Sequence, residues 1–193
     1  MTTVLLARHG ETDWNRESRF QGRADPPLNQ AGRAQAVELS VALAADELAA
    51  VYSSPLRRAL DTADVIAAAH GLEPVEVDGL QEIDVGSWQG LTRTEVEARF
   101  PKQYARWLDF GQGWEDGERY DEMSRRVVSA LLELAARHAG ERVLAVTHGG
   151  PIRAAFAFAA GTDYAAARRS GPAIGNAFVA EFAVEEGALR QLD

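Results

Sequence analysis

The stretch LLARHGETDWN occupies Leu5–Asn15, and its apolar head runs straight into Arg8, His9 and Gly10. Val4 to Ala7 reads as a buried strand. A strand heading into a core and ending in an arginine, a histidine and a glycine is either a solvated corner or the edge of a reaction site. A second stretch bears on the choice. Arg142 to Thr147 (RVLAVT) is again a buried-strand pattern, and His148, Gly149, Gly150 and Pro151 follow it. In a parallel sheet the carboxyl ends of the strands point one way, so two histidines at two such ends can meet across one crevice.

The rest of the chain supplies such a sheet. Leu28–Ala45 carries a helical pattern with Ala34, Val37, Val41 and Ala44 on one face, and Ala49–Tyr52 is a short apolar strand. Ser53 and Ser54 precede Pro55, a capping residue followed by proline at the first helical position. That helix runs through Arg58, Thr62 and Ile66 to Gly71, a natural stop. Pro74–Val77 suggests a third strand, Arg93–Phe110 a helix interrupted near Pro101, and Tyr120–Ala139 the longest helix. Ile152–Ala160 reads as a helix, and Ala177–Val184 with Ala188–Leu192 flank Glu185-Glu186-Gly187, a hairpin signal.

Strands alternating with helices predict a three-layer α/β/α sandwich whose sheet is mostly parallel. At 193 residues the chain is most simply one domain, 1–193. Two segments break the rhythm, Glu11–Pro27 and Glu82–Arg119; both are polar and rich in Gly, Trp and Arg. Long segments after strand ends usually line the ligand crevice of such folds.

Composition narrows the function classes. The formal net charge of −9 speaks against a nucleic-acid partner, which needs a basic face to displace counterions. A few arginines gathered in one pocket still suit an anionic small molecule. There are no cysteines, which removes disulfides, thiol nucleophiles and thiolate metal sites. Val4–Ala7 is too short for a signal-peptide core, and Ala154–Ala160 falls well below the roughly 18 residues of a membrane span. A cytoplasmic protein without membrane contact is expected.

Four clusters hold the chemistry: Arg8 with His9; Arg58 in the first turn of a helix after a strand; Glu82 or Asp84 in the Gly- and Trp-rich Leu80–Gly90; and His148 with Gly149. Arg57 reads as a solvated helix face and Asp84 as a surface carboxylate. His70 and His138, near helix C-termini, suit the dipole there rather than chemistry. Two histidines raise a metal, but the close His-x-His, His-Glu-x-x-His or Asp-rich spacings are missing. Arginines beside histidines fit a phosphoryl group better, because guanidinium pairs bidentately with its oxygens.

These motifs, in this order, resemble the histidine phosphatase superfamily, the phosphoglycerate mutase-like proteins, and among them the short broad-specificity phosphatases. Leu6–Asn15 is similar to the family signature, and Phe20-Gln21-Gly22 with Pro27–Gly32 to the segment after it. Ser53–Ala59 with Thr62-Ala63 resembles the second-arginine motif, and Leu80–Gly90 the acid-bearing loop. Gly117-Glu118, Arg126-Val127 and Val146–Gly149 complete the order. The resemblance spans essentially the whole chain.

It implies a phosphoglycerate mutase-like fold and a phosphohistidine mechanism without metal or cofactor. His9 would attack phosphorus in line. Arg8, Arg58, His148 and Asn15 would hold the phosphoryl oxygens, Gly149 would give backbone approach, and Gln21 would add a phosphate or substrate contact. Glu82 would protonate the leaving oxygen and then activate water. The substrate would be a small-molecule phosphate monoester. The same core serves 2,3-bisphosphoglycerate-dependent phosphoglycerate mutases, but those carry a longer insertion after the acid loop. Here the cap-like insertion at 91–119 is short, which favours hydrolysis over mutation. A catalytically silent phosphoryl-binding protein is the reading from another class; the presence of His9, Glu82 and both arginines opposes it. The aromatic residues Phe100, Tyr104, Trp107, Phe110 and Trp114 either wall the leaving-group pocket or pack the insertion down. The Ala-rich helix Ile152–Ala160 and the C-terminal hairpin offer faces for a homodimer.

Overall fold

The computed structural model describes residues 1–109 and 113–192. Along them run β1 (Thr2–Arg8), α1 (Asp13–Arg16), α2 (Gln30–Ala42), β2 (Leu48–Ser53), α3 (Arg57–Ala69), β3 (Pro74–Glu76), α4 (Arg93–Arg99) and α5 (Pro101–Leu108). After these come α6 (Tyr120–Arg137), β4 (Arg142–Thr147), α7 (Gly149–Ala159), α8 (Tyr164–Ser170), β5 (Val179–Glu185) and β6 (Ala188–Gln191). The strands form one sheet in the order β3-β2-β4-β1-β5-β6. β3, β2, β4 and β1 are parallel, and the β5–β6 hairpin adds an antiparallel edge. This is the expected α/β sandwich with a mostly parallel sheet.

Alternation along β1 shows why its run is apolar on both sides. Val4 and Leu6 pack with Leu131 and Leu134 of α6 and Ile152 and Ala155 of α7. Leu5 and Ala7 face the other way, onto Leu39 of α2 and Ala59, Ala63 and Ile66 of α3. Helices on both faces leave a central strand no wet side.

Three local expectations are corrected. The first is the buried face of α2: Val37 and Val41 are 53% and 72% exposed, while Gly32, Ala36, Leu39 and Ser40 turn inward. Both stripes have helical spacing. What decides is a close backbone approach, since a Cβ on Gly10 would overlap the Gly32 carbonyl and one on Gly32 the Glu11 carbonyl. Only the small-residue face can lie that near. Leu39→Ala is therefore expected to cost about 2–5 kcal/mol, and Val41→Ala less than about 0.5 kcal/mol, both read by denaturant unfolding.

The second correction is the start of α3. It begins at Arg57, not Pro55, with Leu56 at the cap position and no side chain of its own turn capping it. Asp25 accepts from the Arg57 N–H at 2.6 Å instead, a partner 32 residues away. The third is α7, which begins at Gly149 rather than Ile152, with Pro151 in its first turn, where a missing N–H costs nothing. Helices α1 and α8 had no expectation. The interruption at Pro101 and the hairpin are as expected, and Phe110 lies outside the described residues.

Candidate active site

Adjacent strands bring the histidines together. Arg8 ends β1 opposite Thr147 at the end of β4. His9 N–H continues the ladder to the Thr147 carbonyl at 3.0 Å, and Ser54 N–H does so to the Val146 carbonyl at 2.9 Å. The His9 and His148 rings then lie 5.1 Å apart, centroid to centroid. Both are buried, as is Arg58, although all three are polar or charged.

Each contact to His9 has a chemical consequence. Its Nδ1 is 2.6 Å from the Gly10 carbonyl oxygen, which can only accept, so Nδ1 carries the proton. The lone pair is left on Nε2, where Arg58 Nε donates at 3.2 Å. Arg58 is fixed by the Ala24 and Gly22 carbonyls at 2.7 and 2.8 Å. The polar segment Glu11–Pro27 thus wraps the arginine. Arg8 Nη1 donates to the Ile174 carbonyl at 2.7 Å, and its buried Nε has no partner among the described residues.

The remaining expected residues fall round the same cleft. Asn15 Oδ1 accepts from Thr12 N at 3.0 Å and from Asn176 Nδ2 at 3.2 Å, and Asn176 Nδ2 also reaches the His9 carbonyl at 3.2 Å. Asn15, Gln21, Arg8, His9, Arg58 and Glu82 all line a cleft of ≈ 240 Å³. Gly149 opens α7; a Cβ there would sit 3.9 Å from Arg8 Nε, on the arginine's side. Gly150, which sequence reasoning did not single out, touches the acid. Its N–H donates to Glu82 Oε2 at 3.3 Å, and a Cβ would overlap Oε1. Glu11, beside His9 in sequence, instead accepts from Asn29 Nδ2 at 2.8 Å.

The acid loop is held by a half-buried ion pair. Arg126 donates to Glu118 Oε1 and Oε2 at 2.6 and 2.8 Å, and to the carbonyls of Gly79, Gln81 and Glu82 at 3.0, 2.7 and 3.0 Å. All five guanidinium N–H groups are used, so the carbonyl of Glu82 itself is tied down. Trp88 is not a wall of the cleft. It is buried behind it, edge-on to Phe20 and Trp114. Trp107 and Trp114 line the cleft with Phe20, Tyr120, Tyr164 and Arg168, whereas Phe100 and Tyr104 pack on the core. Trp107 and Trp114 pack on the core as well. Among the described residues no group of three or more His, Asp or Glu side chains is arranged to hold a metal ion, and no helix is long and apolar enough to cross a membrane.

Burial pushes the His9 imidazole well below its ordinary value, and the Arg58 and Arg8 charges add to the shift. His148 is lowered well below too, by burial first and then by Arg58, His9, Arg8 and Arg126. Burial also lowers Arg58, to about 10, against the opposing pull of Glu82 and Asp25. Both histidines are thus neutral in the folded chain at pH values where the unfolded chain, titrating near 6.5, binds protons. The sign follows. Stability is full above about pH 6.5 and falls as pH drops below it, by up to about 1.4 kcal/mol per pH unit for each histidine. Denaturant midpoints between pH 5 and 7 should show this slope, and His148→Asn should reduce it.

A neutral imidazole lone pair, the guanidinium groups of Arg8 and buried Arg58, and a carboxylate therefore share one cleft, with a second imidazole packed beside the first. That arrangement suits in-line phosphoryl transfer, which needs mostly positioning and charge stabilisation. A family model for the histidine phosphatase superfamily (branch 1) matches residues 4–192. The chain belongs to that superfamily. It is 42% identical over 161 residues to the metal-independent phosphoserine phosphatase of Arabidopsis thaliana, covering 81% of this chain and 68% of that one. Among solved structures, Bacillus stearothermophilus YhfR superposes with a TM-score of 0.91 at 34% identity, over 99% of this chain and 95% of its own. Mycobacterial glucosyl-3-phosphoglycerate phosphatase, complexed with VO3, gives 0.88 at 31%, over 98% and 96%. As a histidine phosphatase the chain is a phosphoric monoester hydrolase, with the phosphoglycerate mutase-like fold its motifs implied.

Proposed function

We propose that this histidine phosphatase is a cytoplasmic, metal-independent enzyme that hydrolyses small phosphate monoesters through a phosphohistidine on His9. The observation that carries the reading is the bond from His9 Nδ1–H to the Gly10 carbonyl, which leaves the Nε2 lone pair beside Arg58. Nε2 attacks phosphorus as the ester P–O bond breaks, and the Glu82 carboxylic acid gives its proton to the leaving oxygen. Glu82, now a carboxylate, takes a proton from water, whose oxygen attacks phosphorus. The P–N bond breaks and inorganic phosphate leaves. Arg8, Arg58, His148 and Asn15 hold the phosphoryl oxygens, and Gln21 and Gly149 border them.

The leaving group is small and polar. A cleft of ≈ 240 Å³ walled by Phe20, Trp107, Trp114 and Tyr120, with Arg19 and Arg168 on it, suits a phosphorylated hydroxy acid of the phosphoserine kind. The names of two relatives, phosphoserine phosphatase and glucosyl-3-phosphoglycerate phosphatase, support that class. The 91–119 insertion, as a cap, contributes Trp107 and Trp114 to it. A homodimer through the β6 edge belongs to the same reading, and sedimentation at the mass of one chain would remove it.

The test is release of phosphate from phosphoserine and para-nitrophenyl phosphate with EDTA present. Turnover in chelator is expected. None by folded protein would favour a silent phosphoryl binder, and loss on adding EDTA would end the metal-free mechanism. Interconversion of 2- and 3-phosphoglycerate with bisphosphate primer would favour the mutase.

A further inference from the structure

His148 poses a question that His9 does not. Its Nε2 is 2.8 Å from Ser54 Oγ, a group that can either donate or accept, so the contact alone does not place the proton. Its Nδ1 is buried and has no hydrogen-bond partner among the described residues. The surroundings of Ser54 break the ambiguity. Leu56 N–H donates to Ser54 Oγ at 3.3 Å and fills one of its two acceptor positions, so what decides is where the buried hydroxyl hydrogen goes. Ser53 Oγ–H goes to the Ser54 carbonyl at 2.8 Å and does not compete for the Ser54 hydroxyl. Among the described residues the hydroxyl hydrogen of Ser54 then has one acceptor in reach, His148 Nε2.

We propose that Ser54 is a positioning residue that donates its hydroxyl proton to His148 Nε2, holding His148 as the Nδ1–H tautomer so that Nδ1–H is the donor to a phosphoryl oxygen. The two histidines are thereby the same Nδ1–H tautomer, each turned to a different use. The Gly10 carbonyl keeps a lone pair on His9 to attack with, and the Ser54 hydroxyl keeps a proton on His148 to bind with. In the other tautomer a nitrogen lone pair would meet an anionic oxygen and the donor would be lost. The inference rests on the phosphoryl-transfer reading for the identity of the anion, but not for the tautomer.

Long-range 1H–15N spectra of protein labelled with 15N-histidine read the tautomer directly, with His148→Asn assigning the signal. The expected wild-type pattern is a protonated Nδ1 and a bare Nε2 for His148, with the Nδ1–H resonance moving when inorganic phosphate is added. Ser54→Ala should turn His148 to Nε2–H or a mixture and lower kcat about 10- to 100-fold, the loss of one hydrogen bond to a charged group. Ser54→Thr, which keeps the hydroxyl, should restore both. A protonated Nε2 in the wild type overturns the proposal. So does a Ser54→Ala protein that folds and keeps the wild-type tautomer and kcat. If Ser54→Ala does not fold, the wild-type spectrum with its phosphate response decides. A correct tautomer in a protein without turnover would fail the activity and leave the Ser54 assignment standing.

Discussion

His9→Ala is expected to abolish phosphatase turnover, by about 10⁴-fold or more, and to leave no acid-labile phosphate on the protein. The argument is positional. The Nε2 lone pair lies in the cleft that Arg58 and Arg8 line, and its direction is fixed by the Nδ1–H bond to the Gly10 carbonyl. The other imidazole, His148, has its Nε2 engaged by Ser54 and cannot replace it. Removing His9 leaves both guanidinium groups in place, so the variant should still bind inorganic phosphate, which calorimetry can show. Rapid-quench labelling with a 32P-phosphomonoester checks the intermediate. A His9→Ala protein that still labels at nitrogen would put the nucleophile elsewhere.

The second large effect is expected at Glu82. Glu82→Gln keeps shape and removes the proton shuttle, which is typically worth about 10²–10⁴-fold. The loss should depend on the leaving group. With phosphoserine, a poor leaving group, formation of the phosphohistidine should slow by that factor. Para-nitrophenolate departs without protonation, so formation should be nearly normal while the second half-reaction, which needs water activated, stalls. The variant should then give a burst of one nitrophenolate per site and hold trapped phosphoenzyme. Equal loss on both substrates with no burst would remove the acid–base assignment. Because the Glu82 carbonyl is tied to Arg126, the amide should occupy the carboxylate's position.

Much of this was legible in the sequence, and the boundary is physical. Strand ends could be read because apolar runs stop abruptly at Arg8 and at Thr147, and the parallel sheet then dictates that His9 and His148 meet. Arg58 and Glu82 were found because they recur in motif order. What local sequence does not carry are partners far along the chain. Asp25 capping α3, Asn176 bracing Asn15 and Thr62 Oγ1 accepting from the Gly10 N–H at 3.1 Å all join residues more than 30 apart, or in the last case 52. The α2 face failed for a related reason. Two stripes fitted the helical period, and the choice between them was made by the Gly10–Gly32 approach, a tertiary contact between two residues with no side chains to advertise it. Gly150 was overlooked because a second glycine after His148 reads as a turn, whereas here it makes room for the acid.

The ladder bonds that carry His9 and Ser54 beyond the ends of their strands divide the molecule by how readily it can change. The phosphoryl-handling half inherits its spacing from the repeat of the sheet, so its amides belong with the slowest-exchanging in the protein. The half proposed to select the ester, Trp107, Trp114 and Arg168, hangs from the short helices α5 and α8 and a loop. Substitutions there can re-aim which ester is chosen while the machinery that breaks the bond is left untouched. A lineage built on this plan can therefore change its diet without relearning its chemistry.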